Sequence, residues 1–176
     1  MQLFLERVHP NIPIVDRSKL HEKTGDVSEA RQCRECLLDT IYMFAAAFSS
    51  QFSSIEHALY GSTRSALERL EAHGTDAEIC HIEHVQAWIL ITYYEFSRMR
   101  YRRGWLSAGR VFRLVQLAKF SDLDGPGRAA LQDGSDAAAL EEKRRTFWAA
   151  YCLDRLISLS GDGPSTFDER MVSALT

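Results

Sequence analysis

Proline is scarce in this chain of 176 residues: Pro10, Pro13, Pro126 and Pro164 are the four that occur, and long breaker-free segments separate them. That distribution points to an all-α protein, because proline and glycine are what interrupt helices. Cysteine is also sparse. Four Cys are too few for a disulfide scaffold and suit a reducing compartment. The opening residues carry Glu6, Arg7 and Pro10, which excludes a signal-peptide apolar region there. The apolar run from Val85 to Tyr94 is too short to span a bilayer, so no membrane partner is expected. There is no G-x-S-x-G, no P-loop, no dinucleotide fingerprint and no H-E-x-x-H spacing. Net charge is −3, without the global basic bias of a free-standing DNA-binding module.

What is present is ordinary for a soluble globular chain: 45% hydrophobic and 26% charged residues, enough for one domain with a real core. An intracellular soluble protein is the expectation. Phe4 to Arg7 reads as a short helix stopped before Pro10, followed by an extended strip that Ile12, Ile14 and Val15 pin to the core. Residues 16–27 read as a loop. A helix then runs from Ser28, a plausible N-cap, to about Ser50, with Cys36, Leu37, Ile41 and Phe44 in its stripe. A second runs from about Ser53 to His73 and stops at Gly74, with Ala58, Leu59, Ser62, Ala66, Leu67 and Leu70 inward. Thr75 or Asp76 caps a third that continues to about Met99; its apolar residues cover more than one face, which places it centrally. Trp105 to Phe120 forms the next helix, where Trp105, Ala108, Gly109 and Phe112 offer a tight interface. Residues 121–139, with Gly125-Pro126-Gly127 and an Ala run, read as a flexible loop.

The stretch Glu141 to Ser158 is the most distinctive. It lacks Gly and Pro and opens with two Glu, which offset the helix dipole. Glu141 can pair with Arg144 or Arg145 one turn on. Phe147, Trp148, Tyr151, Cys152, Leu156 and Leu159 recur at helical spacing as an apolar stripe. Asp154 falls on the inner side, where a carboxylate needs a cation or several donors. An arginine of the Trp105 helix, Arg110 or Arg113, is the expected cation for Asp154, giving a buried structural ion pair.

Arg144-Arg145-Thr146-Phe147-Trp148 followed by Leu153-Asp154-Arg155 resembles the signature helix of the fungal-specific transcription factor domain, the regulatory middle region of fungal zinc-cluster activators. Three further patches resemble that family in the same order: the His9-Pro10 strip, the Val85 to Trp88 and Trp105 to Arg110 hairpin, and the Gly163-Pro164 turn with Asp168-Glu169 after it. The resemblance covers about Phe4 to Glu169. It implies a single all-α domain of stacked antiparallel helix hairpins, with about five to six main helices, ending before the family domain normally finishes. It implies Arg144, Arg145, Phe147, Trp148, Asp154, Arg155, Trp105 and Gly109 as signature positions with structural roles, and no catalytic or metal-binding residue. Zinc and DNA binding would belong to a zinc-cluster module of six clustered Cys that this segment does not contain. The implied function is a nuclear regulatory or effector domain, not an enzyme. Its partners would be other protein segments of the transcription machinery, a dimer partner or a small-molecule effector.

Other constellations have plainer readings. Cys33-x2-Cys36 has zinc-knuckle spacing but lacks two further ligands, and Cys80 and Cys152 stand alone, so helix-packing thiols are expected. Cys80, His81, Glu83 and His84 cluster on one predicted helix, with Glu78 near; a small helical metal protein would use them. Arg98, Arg100, Arg102, Arg103, Arg110 and Arg113 could form a phosphate-contacting patch. The alternative is a helix C-terminus offset by cations for Arg98 to Arg103, with ion pairing for Arg110 and Arg113. The aromatic seam of Trp88, Tyr93, Phe96, Trp105, Phe112, Phe147, Trp148 and Tyr151 reads as core or as a small-ligand site. Ser165-Thr166-x-Asp168 reads as a phosphosite or, preferentially, a helix cap. A peptide-binding scaffold of the tetratricopeptide type is the alternative function.

Overall fold

The computed structural model describes residues 1–21, 30–121, 137–160 and 164–168. Seven α-helices occur among them: α1 (Gln2–Arg7), α2 (Ala30–Ala47), α3 (Ser53–His73), α4 (Asp76–Ile79), α5 (Ile82–Ser97), α6 (Tyr101–Leu117) and α7 (Ala137–Ser160). No strand is present among the described residues, and five of the helices are long, so the all-α expectation holds. α2 packs on α3 and α5 packs on α6, two pairs joined by short connections and therefore antiparallel. α5 also contacts α2, α3 and α7, which makes it the centre of the fold.

Centrality follows from composition. Every residue of α5 from His84 to Thr92 is buried, so apolar residues are needed on all sides rather than in one stripe. The continuous helix expected from Thr75 to Met99 is instead two. Thr75 and Glu78 close a reciprocal capping box that starts α4, and α4 ends at Cys80. His81 then caps α5 by accepting the Glu83 N–H on its ring. The break arises because two good caps lie within seven residues, each able to satisfy orphan helix donors.

Other boundaries moved less. α3 spans the expected Ser53–His73, but Tyr60 and Thr63 point inward with Leu67 and Leu70, while Ala58 and Ser62 are exposed. Gly74 ends α3 without a left-handed turn; a Cβ there would lie 2.4 Å from the Leu70 carbonyl oxygen. α7 begins at Ala137, so the Ala run expected in a loop is helical from that point. Ala30 begins α2, and the expected cap Ser28 lies outside the described residues, as do residues 122–136 of the expected loop. The opening strip behaves as expected, with Phe4, Val8, Ile14 and Val15 buried; Leu20 of the following segment is buried too, in a short 3-10 turn.

The close approach expected at Gly109 is made elsewhere. Gly109 is exposed with open space around it, whereas Gly104 faces the Phe96 ring, 3.1 Å from where a Cβ would stand. Gly104 is where α6 closes on α5. Gly109→Ala should therefore raise stability by about 0.5–1 kcal/mol, since alanine loses less entropy in an exposed helix. Gly104→Ala should lower it by roughly 1–3 kcal/mol through overpacking. Chemical denaturation of the two variants checks both signs.

Candidate functional site: the signature helix and the strap it holds

α7 presents Glu142, Thr146, Phe147, Ala150, Leu153 and Asp154 to the core. Phe147 and Asp154 point inward as expected, whereas much of the expected stripe does not. Cys152 is exposed, Leu156 and Leu159 face outward, and Leu159 is 86% exposed. The helical period was right and the buried face is turned from the expected one, with Leu153 inward where Cys152 and Leu156 were expected.

Asp154 is 2% exposed. Its carboxylate does not meet an arginine of α6. Its oxygens accept the backbone N–H of Thr166 at 2.9 and 3.0 Å and that of Phe167 at 3.1 Å. Arg155, the next residue, donates Nη2 to the Phe167 carbonyl at 2.6 Å while its guanidinium lies over the Tyr151 ring. Consecutive side chains of α7 therefore hold both polar sides of one short segment, residues 164–168. Charged hydrogen bonds of this kind are among the stronger ones. Phe167 is buried beneath the clamp against Phe112, Phe147 and Tyr151, with ring centroids 5.3, 5.8 and 6.4 Å away. Asp168 is not helical and Glu169 lies outside the described residues, so a helix capped by Ser165 or Thr166 is not observed.

The arginines expected to reach Asp154 are occupied elsewhere. Arg110 lies 3.5 Å from Glu68 and 3.4 Å from Glu71 of α3, over the Trp88 ring. Arg113 donates to Gln116. Arg98 pairs with Glu56 at 2.8 Å, Arg100 lies over the Tyr60 ring, and Arg103 donates to the Tyr60 hydroxyl at 3.3 Å. Arg98 alone caps the C-terminal end of α5, whereas Arg102 and Arg103 open α6. The partners of this basic run thus sit mainly on α3, where Glu56, Glu68 and Glu71 pair with Arg98 and Arg110 and the Tyr60 ring and hydroxyl meet Arg100 and Arg103.

A second polar assembly joins α3, α5 and α6. Glu95 is 0% exposed and accepts from the Tyr60 hydroxyl at 2.5 Å and from Arg64, which also donates to the Ser107 hydroxyl at 2.9 Å. A third joins the opening strip to α5 and α7. The Gln86 amide donates to the Ile14 carbonyl at 2.6 Å and to Glu142 at 3.0 Å, and Glu142 also takes Lys19 at 2.7 Å. Beside it lies a cleft of about 370 Å³ lined by His9, Asp16, Arg17, Glu141, Glu142 and Arg145 among others. Arg145 pairs with Glu141 at 2.8 Å, as the one-turn spacing suggested.

The remaining signature residues divide. Phe147 is fully buried, with Trp148 edge-on to it and half-buried; Arg144 is half-buried. Trp105 is 62% exposed and does not belong to the aromatic seam. The metal-like cluster also separates. His84 is buried, with Nδ1 on the Ile79 carbonyl at 2.8 Å and Nε2 accepting from the Trp88 indole at 3.0 Å, so both ring nitrogens are committed. Glu83 pairs with Arg34. Among the described residues no group of three or more His, Cys, Asp or Glu could hold a metal ion. Cys33 and Cys36 are buried in α2, and burial pushes their thiols up to about 12 and about 11. Cys33 donates to the Glu78 carbonyl.

Sequence reasoning missed Gln86, Glu95, Tyr60, Arg64, Glu142 and Phe167. The available signal was Gln86 and Glu95 within the largely apolar run from Val85 to Phe96, where a polar side chain must find a partner.

The model of the fungal specific transcription factor domain matches residues 1–173. The chain belongs to that family. It is 41% identical over 176 residues to the pigment biosynthesis transcriptional activator of Monascus ruber, covering 98% of this chain and 32% of that protein. It is 40% identical over 178 residues to the azaphilone cluster-specific transcription factor of Aspergillus niger, covering 99% and 38%. The citrinin biosynthesis transcriptional activator of Monascus purpureus is 36% identical over 171 residues, covering 97% and 29%. The chain thus spans about a third of the length of these curated relatives. No solved structure matches. In this fungal transcription factor domain the Arg-Arg-Thr-Phe-Trp helix is therefore the element that fastens the 164–168 strap.

Removing the clamp tests its weight. Asp154→Ala leaves two backbone N–H groups without their acceptor and should cost roughly 2–4 kcal/mol in urea unfolding. A second expectation concerns pH. Burial lowers the pKa of His84 and of His81 below the ordinary 6.5. The unfolded chain takes up these protons first as pH falls, so stability drops below about pH 6.5. The loss continues until the pH reaches the lowered folded-state values. A His84→Gln variant should show a shallower fall than the parent as pH drops below about 6.5.

Proposed function

We propose that this chain is the regulatory domain of a fungal transcription factor that controls a biosynthetic gene cluster. The observation that carries the reading is the family match over residues 1–173, together with relatives named as pathway- or cluster-specific activators. In this reading the protein acts in the nucleus, and zinc and DNA are bound by a zinc-cluster module outside this chain. The domain acts by shifting the population of active protein through contacts with other protein segments or a second copy. It carries no catalytic step.

The charge pattern supports this division of labour. DNA binding by a basic patch needs several unpaired cations to displace counterions. In the Arg98 to Arg113 run, Arg98 and Arg110 sit on carboxylates and are not among such cations. The cleft beside Glu142 is our candidate seat for a small effector: Asp16, Arg17, Glu142 and Arg145 line it together with apolar Ile14 and Val15, and it abuts the Gln86–Glu142 assembly. An occupant there would contact α7 directly.

The test is a binding titration of the purified chain against DNA fragments across a salt series, with metal content assayed in the same sample. Absence of salt-dependent binding and of zinc is expected. Tight binding with a steep salt slope would overturn the assignment of DNA contact to another module. In the intact gene, Asp154→Ala should change transcripts of a contiguous set of genes; an unchanged transcriptome would sink the regulatory reading.

A further inference from the structure

We propose that Thr166 is a phosphorylation site whose modification releases the 164–168 strap from α7. The inference stands on the geometry of the strap and goes beyond the transcriptional reading. Three observations meet at this residue. Thr166 and its neighbours Pro164 and Ser165 are exposed and non-helical, so the hydroxyl is open to an enzyme. Asp168 and Glu169 follow it two and three positions downstream, a local negative charge that complements a kinase whose substrate groove is basic. The backbone N–H of the same residue is held by the buried Asp154 carboxylate at 2.9 and 3.0 Å.

The third observation turns a surface modification into a structural one. In the transfer, the Thr166 hydroxyl oxygen bonds to the γ-phosphorus of ATP. The bond from that phosphorus to the bridging oxygen of the β-phosphate breaks, ADP leaves with the electron pair, and the hydroxyl proton passes to the kinase's base. The product carries about −1.5 to −2 charge at neutral pH. It stands on the residue whose amide touches a carboxylate that is itself out of water. The phosphate is solvated but the Asp154 carboxylate is not, so two anions on neighbouring groups repel. Asp154 gives way or the strap does, and Asp154 is fixed in the middle of α7.

Arg155 is the cation within the clamp, and it accentuates the outcome. A phosphate draws guanidinium groups into bidentate pairs. Arg155 moving to the phosphate must leave the Phe167 carbonyl it now holds at 2.6 Å. Both halves of the clamp then weaken together. Phe167, 1% exposed in the strapped form, comes out from Phe112, Phe147 and Tyr151 and uncovers that aromatic pocket. The strapped and released forms are the two states, and the modification biases them.

The experiment treats the intact protein with Mg·ATP and a kinase that requires carboxylates downstream of its acceptor. Peptide mapping by mass locates the phosphate, and hydrogen exchange follows the amides of Thr166 and Phe167. The expected result is phosphate on Thr166 and exchange of both amides faster by at least roughly tenfold, with the α5 core unchanged. Thr166→Val should keep the strap in place with parental exchange, because the clamp uses the backbone and not the hydroxyl, and should take up no phosphate there. In Asp154→Asn the phosphate should produce less than a roughly threefold further change, because the repelling charge is gone. Phosphate on Ser165 instead of Thr166 would overturn the assignment. Phosphate on Thr166 with unchanged or slowed exchange would overturn the release, showing that Arg155 tightens the strap. No phosphate on the folded protein, with rapid uptake by the urea-unfolded chain on dilution, would show that the site is concealed and end the proposal.

Discussion

α5 has no solvent side, and the rest of the structure depends on that. A helix surrounded by α2, α3, α6 and α7 cannot leave a polar side chain to water, so its larger polar groups reach partners on other elements. Gln86 reaches the opening strip and α7, His84 reaches the α4 end, and Glu95 reaches α3 and, through Arg64, α6. These contacts tie α3, α6 and α7 to the centre in defined register. Apolar packing alone tolerates sliding and repacking; a buried carboxylate with a defined donor set does not.

The same principle explains the Asp154-Arg155 pair at the inner end of α7. A short segment without helix or strand has backbone donors and acceptors to satisfy when it is pressed against a core. Asp154 and Arg155 supply one acceptor and one donor at adjacent positions, and Phe167 supplies the apolar contact. The arrangement binds a peptide backbone in place rather than a charged side chain, so it is indifferent to which exposed residues the strap carries. That indifference leaves Ser165 and Thr166 available to serve another purpose.

Much of the fold was legible before the structure. Breaker-free segments located the long helices, and α3 began and ended where its sequence signals placed it. α5 was recognisably central because its apolar residues exceed one face. The misplaced helix faces share one physical cause. Helical spacing gives the angle between residues but leaves the direction of the whole stripe open when large apolar residues lie on both sides. Trp105 is exposed and Ser107 buried on α6, a reversal of their hydrophobicity, because Ser107 completes the Arg64–Glu95 assembly. Gly109 looked like a contact because small residues permit one, yet Gly104, one and a half turns earlier, makes it.

By itself, then, the sequence determined the all-α class, the order of helices and the family, since these rest on local propensity and on patterns that survive along the chain. Tertiary structure decided the partner of every buried charge. Asp154 required donors, and an arginine of α6 would have served; the Thr166 and Phe167 amides serve instead, because the chain returns across α7 there while Arg110 is taken by Glu68 and Glu71. A buried carboxylate specifies how much compensation it needs, and only the packing of distant segments specifies what provides it.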